Sequence, residues 1–160
     1  MSTDCTFKTP DGRFNYRVGA IILNKTNLLM AYNRSYQQYY TVGGRVKLHE
    51  TSEEAIVREI YEETGVKAEI DRLGFVHENF FKIDDTTFHE LAFFYYIKPF
   101  DYALINFDSI KCDGDTEELR WVDLNDLPDC EFYPAFFKTE LKKELLDPSD
   151  IVKHFITREY

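Results

Sequence analysis

The sequence predicts a single domain of the α/β class, in which strands and helices form a layered sandwich around a mixed sheet. Three observations predict this class. Apolar segments of strand length occur on both sides of one well-marked helix, that helix is amphipathic and capped, and a helical segment follows the last strand. Residues 1–160 contain no linker, repeat or low-complexity stretch, and a chain of this length can bury one core.

The predicted strands are rich in β-branched, aliphatic and aromatic residues and are bounded by turn residues. Residues 125–146 predict one or two short helices, and the tail 151–160 is too brief to classify. The predicted strands are 16–24, 27–34, 68–81, 86–99 and 118–124.

The central helix is predicted over residues 51–64 by its end signals. Thr51 followed three residues later by Glu54 is the pattern of a capping box. Gly65 stands where a helix ends in a left-handed residue. Both ends of this helix are therefore fixed by the sequence.

One face of this helix carries Glu59, Glu62 and Glu63. At 100° per residue, Glu63 falls at the margin of the apolar stripe rather than opposite it. Like charges three and four residues apart repel each other, and Arg58 can pair with Glu62 without neutralising all three carboxylates. The simplest alternative is a solvated acidic surface.

Two features favour a cation site instead. The glutamates flank the core, and Gly43 and Gly44 precede the helix, where glycine lets the backbone approach an ion closely. Carboxylate and carbonyl oxygens suit Mg²⁺ or Mn²⁺ and do not suit zinc.

The composition excludes several classes of function. The net charge is −10, from 29 acidic and 19 basic residues, which argues against binding of extended nucleic acid. No apolar run approaches the roughly 20 residues that span a bilayer, and we expect no signal peptide at the N-terminus. Three widely spaced cysteines, Cys5, Cys112 and Cys130, favour a reducing cytoplasm.

From Gly44 to Val66 the sequence resembles the Nudix box of the Nudix (MutT-like) hydrolases. Gly44 is followed after five residues by Glu50, and Glu50 after seven residues by the run REIYEETGV at 58–66. All nine specified positions of the box are filled. The departures are small: Thr41-Val42 replaces a common Leu-Pro, and His49 replaces a common glycine.

This resemblance implies a Nudix-type α/β/α sandwich with a mixed central sheet. It also implies hydrolysis, dependent on Mg²⁺ or Mn²⁺, of a pyrophosphate bond in a nucleoside diphosphate linked to a group X. We favour a nucleoside triphosphate or another small nucleotide. By position in the box, Arg58 and Glu50 would orient the carboxylates, and the metal ligands would be Glu59, Glu62, Glu63 and the Gly43 carbonyl.

The general base stays open at the level of sequence. Glu59 is one candidate, and in several Nudix families a carboxylate from a later loop serves. The segment 111–121 offers Asp113, Asp115, Glu117 and Glu118, with a solvated turn as the simplest alternative. We favour Glu118 because it adjoins the predicted strand that carries Trp121.

Further residues are candidates for binding substrate. Arg17, Arg34 and Arg45 lie near the box in sequence and can grip phosphates, although each can equally be a surface arginine. Phe80, which we favour, and its neighbour Phe81 can stack on a base or belong to the core. Glu90 interrupts an apolar strand, which indicates a pocket or a satisfied structural pair.

Two alternative functions remain. An ADP-ribose or nucleotide-sugar pyrophosphatase is one, although ADP-ribose hydrolases of this family typically carry a proline beyond the box and none occurs between Pro10 and Pro99. A non-catalytic nucleotide-binding or regulatory module is the other, and the filled box argues against it. The expected partner is a small nucleotide, with no membrane and a possible homodimer.

Overall fold

The computed structural model describes residues 2–108, 117–129 and 131–160. Asp113 and Asp115, two of the candidate bases, lie outside these residues, as do Cys112 and Cys130. Besides a short 3₁₀ turn at Tyr102–Leu104, the elements in chain order are β1 (Thr6–Thr9), β2 (Gly12–Ile21), β3 (Leu23–Asn24), β4 (Asn27–Asn33), β5 (Gln38–Thr41), β6 (Gly43–Arg45), α1 (Ser52–Thr64), β7 (Ile70–Ile83), β8 (Thr86–Ile97), β9 (Glu117–Asp123), β10 (Glu131–Tyr133), α2 (Phe137–Leu146) and β11 (Lys153–Arg158).

The strands form two mixed sheets. In the first, the order is β1-β2-β8-β7-β11, and β6 also pairs with β2. The β2/β8 and β7/β11 pairs are parallel, and the other pairs are antiparallel. In the second, the order is β10-β5-β4-β3, β9 also pairs with β4, and β10 runs parallel to β5. The predicted mixed α/β architecture is therefore confirmed.

The two helices pack against separate apolar clusters. Ile56 and Ile60 of α1 join Val18 and Ala20 in one cluster. Phe137 and Leu141 of α2 belong to the other cluster, which contains Ile21 of the same strand. Since successive side chains of a strand point to opposite faces, β2 lies between the helices, and the layering is α/β/α.

The central helix begins and ends where the sequence predicts. Thr51 is the N-cap, its side chain accepts from the Glu54 N–H at 3.1 Å, and the Glu54 carboxylate accepts from the Thr51 N–H at 2.8 Å. Gly65 has a φ of 76°. Ala55, Ile56 and Ile60 are fully buried.

The ends of the chain differ from the prediction. The strand predicted from residue 16 begins at Gly12, where it pairs with β1. The segment 125–146, predicted to be only helical, contains the strand β10 before α2, and the unclassified tail contains β11. Of the described helices, α1 has 13 residues and α2 has 10, and neither is long and apolar enough to cross a bilayer.

Candidate active site

Gly43 brings the backbone of β6 against the end of α1. Val42 and Val46, the residues on either side of β6, form backbone hydrogen bonds to Ala20 and Tyr16 of β2, so alternation directs the peptide groups of Gly43 away from β2. The Gly43 N–H donates instead to Oε1 of Glu63 at 3.1 Å. Its carbonyl therefore lies on the side of the sheet that faces the glutamates.

Neither glycine can be replaced without a clash. Gly43 has a φ of 152°, and a Cβ there would lie 2.2 Å from the Val18 carbonyl oxygen. A Cβ on Gly44 would lie 2.5 Å from the carboxylate carbon of Glu59. Because real Cβ atoms do not approach so closely, a side chain at Gly43 would force the backbone of β2 to move, and a side chain at Gly44 would displace the carboxylate of Glu59.

The carboxylates of Glu59 and Glu63 are partly buried. Burial raises the pKa of Glu63 from 4.5 to about 8, against the lowering effect of the Gly43 N–H. The charges of Glu59 and Glu117 raise it further, and that of Arg17 lowers it. Burial also raises the pKa of Glu59, and the hydrogen bond from Arg58 opposes this. Negative charge at this site is thus poorly compensated by the protein alone.

Arg58 holds the remaining acids in place. Its Nε and Nη2 donate to the two oxygens of Glu50 at 2.7 and 2.9 Å, and its Nη1 donates to Glu59 at 2.6 Å and to Glu62 at 3.3 Å. Nη2 also donates to the Arg45 carbonyl at 3.0 Å. The hydrogen bond from Arg58 lowers the pKa of Glu50. Arg58 and Glu50 therefore have the geometry of residues that orient the carboxylates.

The donor set fits a divalent cation that prefers oxygen. Within the described residues, no three acidic, histidine or cysteine side chains already surround a common point. Glu62, whose side chain is 52% exposed and is held by Arg58 only at 3.3 Å, is free to turn toward the two buried carboxylates. A dication would supply the positive charge that is needed to compensate the carboxylates of Glu59 and Glu63. The candidate ligands are therefore the predicted ones: Glu59, Glu62, Glu63 and the Gly43 carbonyl.

The geometry favours Glu117 over Glu118 as the candidate general base from the segment that follows β8. Glu118 forms ion pairs with Arg34 and Arg120, and its hydrogen bond to Arg34 is the main cause that lowers its pKa. Glu117 accepts from the Asn33 side chain at 3.3 Å, and its charge acts on Glu63. The sequence contained a signal for this choice, because Glu117 is in phase with Leu119 and Trp121, which pack on the α1 side.

A cavity of about 540 Å³ lies between the two sheets next to this site. Arg17 and Glu90, both predicted to bind substrate, line it. Burial raises the pKa of both Glu63 and Tyr40, and the charge of Arg17 opposes the rise in each, so Arg17 stands where the cavity meets the glutamates. Sequence reasoning missed Tyr40 as well as the other lining residues His77, Asn79, Tyr36 and Tyr133.

The other predicted binding residues lie outside this cavity. Phe80 stacks on His89 with ring centroids 4.4 Å apart, beneath the guanidinium of Arg158. Its neighbour Phe81 lines the cavity instead, because alternate residues of β7 face opposite sides. Arg34 is exposed and bound to Glu118.

Arg45 also points away from the cavity lining. Its Nη1 lies 3.5 Å from Asp4, and its buried Nε has no hydrogen-bond partner in the described part of the chain. Its backbone carbonyl is the group that contributes to the site, through Arg58.

An α/β/α sandwich whose capped helix presents buried glutamates to a glycine turn beside a cavity is the arrangement of a Nudix domain. The chain belongs to the Nudix family: the family model described as NUDIX domain matches residues 13–143. This confirms the resemblance found at residues 44–66.

Individual relatives are more distant. A MutT-like protein from Streptomyces ambofaciens is 33% identical over 63 residues, which are 39% of this chain and 41% of that protein. The match thus spans less than half of the curated relative.

Solved structures share the fold at low identity. The crystal structure of a mutator MutT protein from Bacillus halodurans gives a TM-score of 0.61 at 16% identity, over 91% of each chain. That of a UDP-X diphosphatase gives 0.59 at 17% identity, over 93% of this chain and 68% of that one. These likenesses establish a shared fold.

Proposed function

We propose that the protein hydrolyses the pyrophosphate bond of a nucleoside diphosphate linked to a group X, with a nucleoside triphosphate or another small nucleotide as the favoured substrate. The observation that carries this proposal is the pair of partly buried carboxylates, Glu59 and Glu63, against the Gly43-Gly44 turn. The positive charges that act on them come from Arg58 and Lys47 near Glu59 and from Arg17 near Glu63, and burial still raises the pKa of both carboxylates. Such a site attracts a phosphorylated substrate once a cation is bound.

The chain's own residues have separable roles in this reaction. Arg58 and Glu50 fix the direction of the carboxylates, and Arg17, at the edge of the cavity, binds a phosphate oxygen of the substrate. Mg²⁺ or Mn²⁺, when bound by the glutamates, would neutralise phosphate charge and lower the pKa of the attacking water. Glu117, next to Glu63, is our candidate for the base that accepts the proton of this water.

The test is release of phosphate or pyrophosphate, with Mg²⁺, from a panel of nucleoside triphosphates, ADP-ribose and UDP-sugars. We expect turnover by the wild type and a loss of at least about 100-fold in kcat for Glu62→Gln, because an amide is a weaker cation ligand than a carboxylate. Glu53→Gln is the matched control, since Glu53 is an exposed glutamate on the first turn of the same helix.

The outcomes separate the remaining possibilities. Turnover that Glu62→Gln leaves intact would sink the assigned mechanism. No turnover of any compound, with binding retained, would favour a nucleotide-binding module. Preferential turnover of ADP-ribose or a UDP-sugar would identify X as a sugar, in place of the triphosphate that we favour. The cysteine pattern leads us to place this activity in the cytoplasm.

A further inference from the structure

A row of polar side chains crosses the floor of the cavity. The strand register places Asn15 of β2 opposite Glu90 of β8, and Glu90 opposite Asn79 of β7. Side chains of directly opposed residues point to the same face of a sheet. Glu90 and Asn79 both line the cavity, and Asn15, the third member of the row, lies behind them against Glu90.

The row presents hydrogen-bond acceptors. Asn15, which is 3% exposed, donates its Nδ2 to Oε2 of Glu90 at 3.4 Å. Among the described residues this is the only hydrogen bond that the Glu90 carboxylate receives, although two such oxygens can accept about four. Oδ1 of Asn79 is buried and has no partner in the same part of the chain. The floor is therefore suited to a ligand that presents several hydrogen-bond donors along one edge.

The walls of the cavity are aromatic. Tyr40 and Tyr133 lie on neighbouring strands with ring centroids 5.4 Å apart and planes inclined by 17°. The Tyr133 hydroxyl donates to Glu131 at 2.8 Å, and the Tyr40 hydroxyl donates to Gln38, so both rings are tethered. Phe81 adds a third ring to the lining. Planar walls of this kind bind a planar, stackable ligand.

A planar ligand with adjacent N–H donors is a narrow class among nucleobases. Guanine carries N1–H and the N2 amino group side by side, and one carboxylate can accept from both. Adenine and cytosine place a ring nitrogen acceptor next to their amino group, and uracil places its one N–H between two carbonyls. Each of these would bring a lone pair against Glu90, which costs affinity because both groups are acceptors.

We propose that the cavity is the base pocket of the enzyme and selects guanine, with Glu90 accepting from N1–H and the N2 amino group and Asn79 supplying a further acceptor. This inference rests on the proposed hydrolase function, since it names the nucleotide that this site takes. Arg17, at the cavity edge nearest Glu63, then lies on the phosphate side of the bound base.

The experiment compares GTP with ITP, which differs only by the missing N2 amino group. We expect wild-type kcat/KM to favour GTP by roughly 10- to 100-fold, the range for a hydrogen bond to a charged group. Glu90→Gln should reduce the ratio to within about threefold, because an amide offers one acceptor oxygen. Glu78→Gln is the matched control: Glu78 lies on β7, the strand that pairs with the strand of Glu90, but its carboxylate binds His154 outside the cavity.

A second measurement keeps this inference separate from the hydrolase function. Binding of GMP and IMP in EDTA requires neither a scissile bond nor a cation. Preference for GMP that is lost in Glu90→Gln, without any hydrolysis of GTP, would support the base pocket and refute the hydrolase. Equal use of GTP and ITP by the wild type, or a preference that Glu90→Gln leaves unchanged, would overturn the guanine assignment and leave the hydrolase standing.

Discussion

Glu63 is held where its charged form is disfavoured. Burial disfavours ionisation and raises the pKa of Glu63 from 4.5 to about 8, and the carboxylates of Glu59 and Glu117 act in the same direction. The hydrogen bond from the Gly43 N–H stabilises the charged form and opposes this rise. In a free chain the same carboxylate ionises at its ordinary pKa. The folded, metal-free protein therefore binds a proton that the unfolded chain releases.

This difference predicts how stability depends on pH. Between about pH 5 and pH 8 unfolding releases the Glu63 proton, so the free energy of unfolding of the metal-free protein falls as pH rises through this window. Glu63→Gln removes this effect, and relative to wild type the variant should gain on the order of a few kcal/mol from pH 5 to pH 8. Urea unfolding in EDTA at three pH values measures it, and parallel profiles for the two proteins would contradict the assignment.

Single-residue register explains where the structure brings the predicted site residues together and where it brings a neighbouring residue instead. Helical phase is set by a capped helix, so the placement of Glu59, Glu62 and Glu63 on one face agrees with the structure. The choices of Glu118 and Phe80 each differ by one residue from Glu117 and Phe81, which face the site. On a strand a shift of one residue reverses the face, and the face is fixed only by the partner strands.

At the scale of elements, a helix or strand was predictable where its own sequence marks its ends. The central helix has its own capping box and left-handed end, so its bounds follow from local sequence. The strands β10 and β11 have three and six residues and no comparable signal. They form because β5 and β7 provide parallel partners, which is a tertiary effect that a local pattern does not contain.

Packing of β11 is testable through two adjacent residues. The ring of Phe155 stacks on that of Phe136 with the ring centroids 4.3 Å apart, and its centroid lies 5.9 Å from that of Phe75. The adjacent Ile156 is 59% exposed. Phe155→Ala should lower the free energy of unfolding by about 2 kcal/mol or more, and Ile156→Ala should change it by no more than about 0.5 kcal/mol. Chemical denaturation compares the two. Equal losses would mean that β11 is not packed through its phenylalanine face.

For the whole molecule, the cavity is the feature that local patterns predict least: Glu90 indicated a pocket as one of two interpretations, but no local pattern predicts which other residues line it. Its floor joins Asn15 to Glu90, 75 residues apart, and its wall comes from the parallel pairing of β5 with β10. The glutamate site joins α1, β6 and β9 in the same way. The sequence predicts the acidic site on the helix, and only the arrangement of the sheets places the cavity next to it.

The net charge of −10 makes cation binding a property of the whole molecule as well as of the site. If the glutamates bind Mg²⁺ only in the folded protein, millimolar Mg²⁺ should raise the Tm at pH 8 by several degrees. A concentration of about 100 times Kd contributes about 2.7 kcal/mol, and each kcal/mol is worth roughly 2–4 °C for a domain of this size. Sodium chloride at equal ionic strength controls for screening of the acidic surface. In the Glu63→Gln variant most of the rise in Tm with Mg²⁺ should disappear, and in the Glu53→Gln variant it should remain. An equal rise in Tm with sodium chloride, or an undiminished rise in the Glu63→Gln variant, would show that Mg²⁺ acts through the acidic surface rather than through the glutamate site.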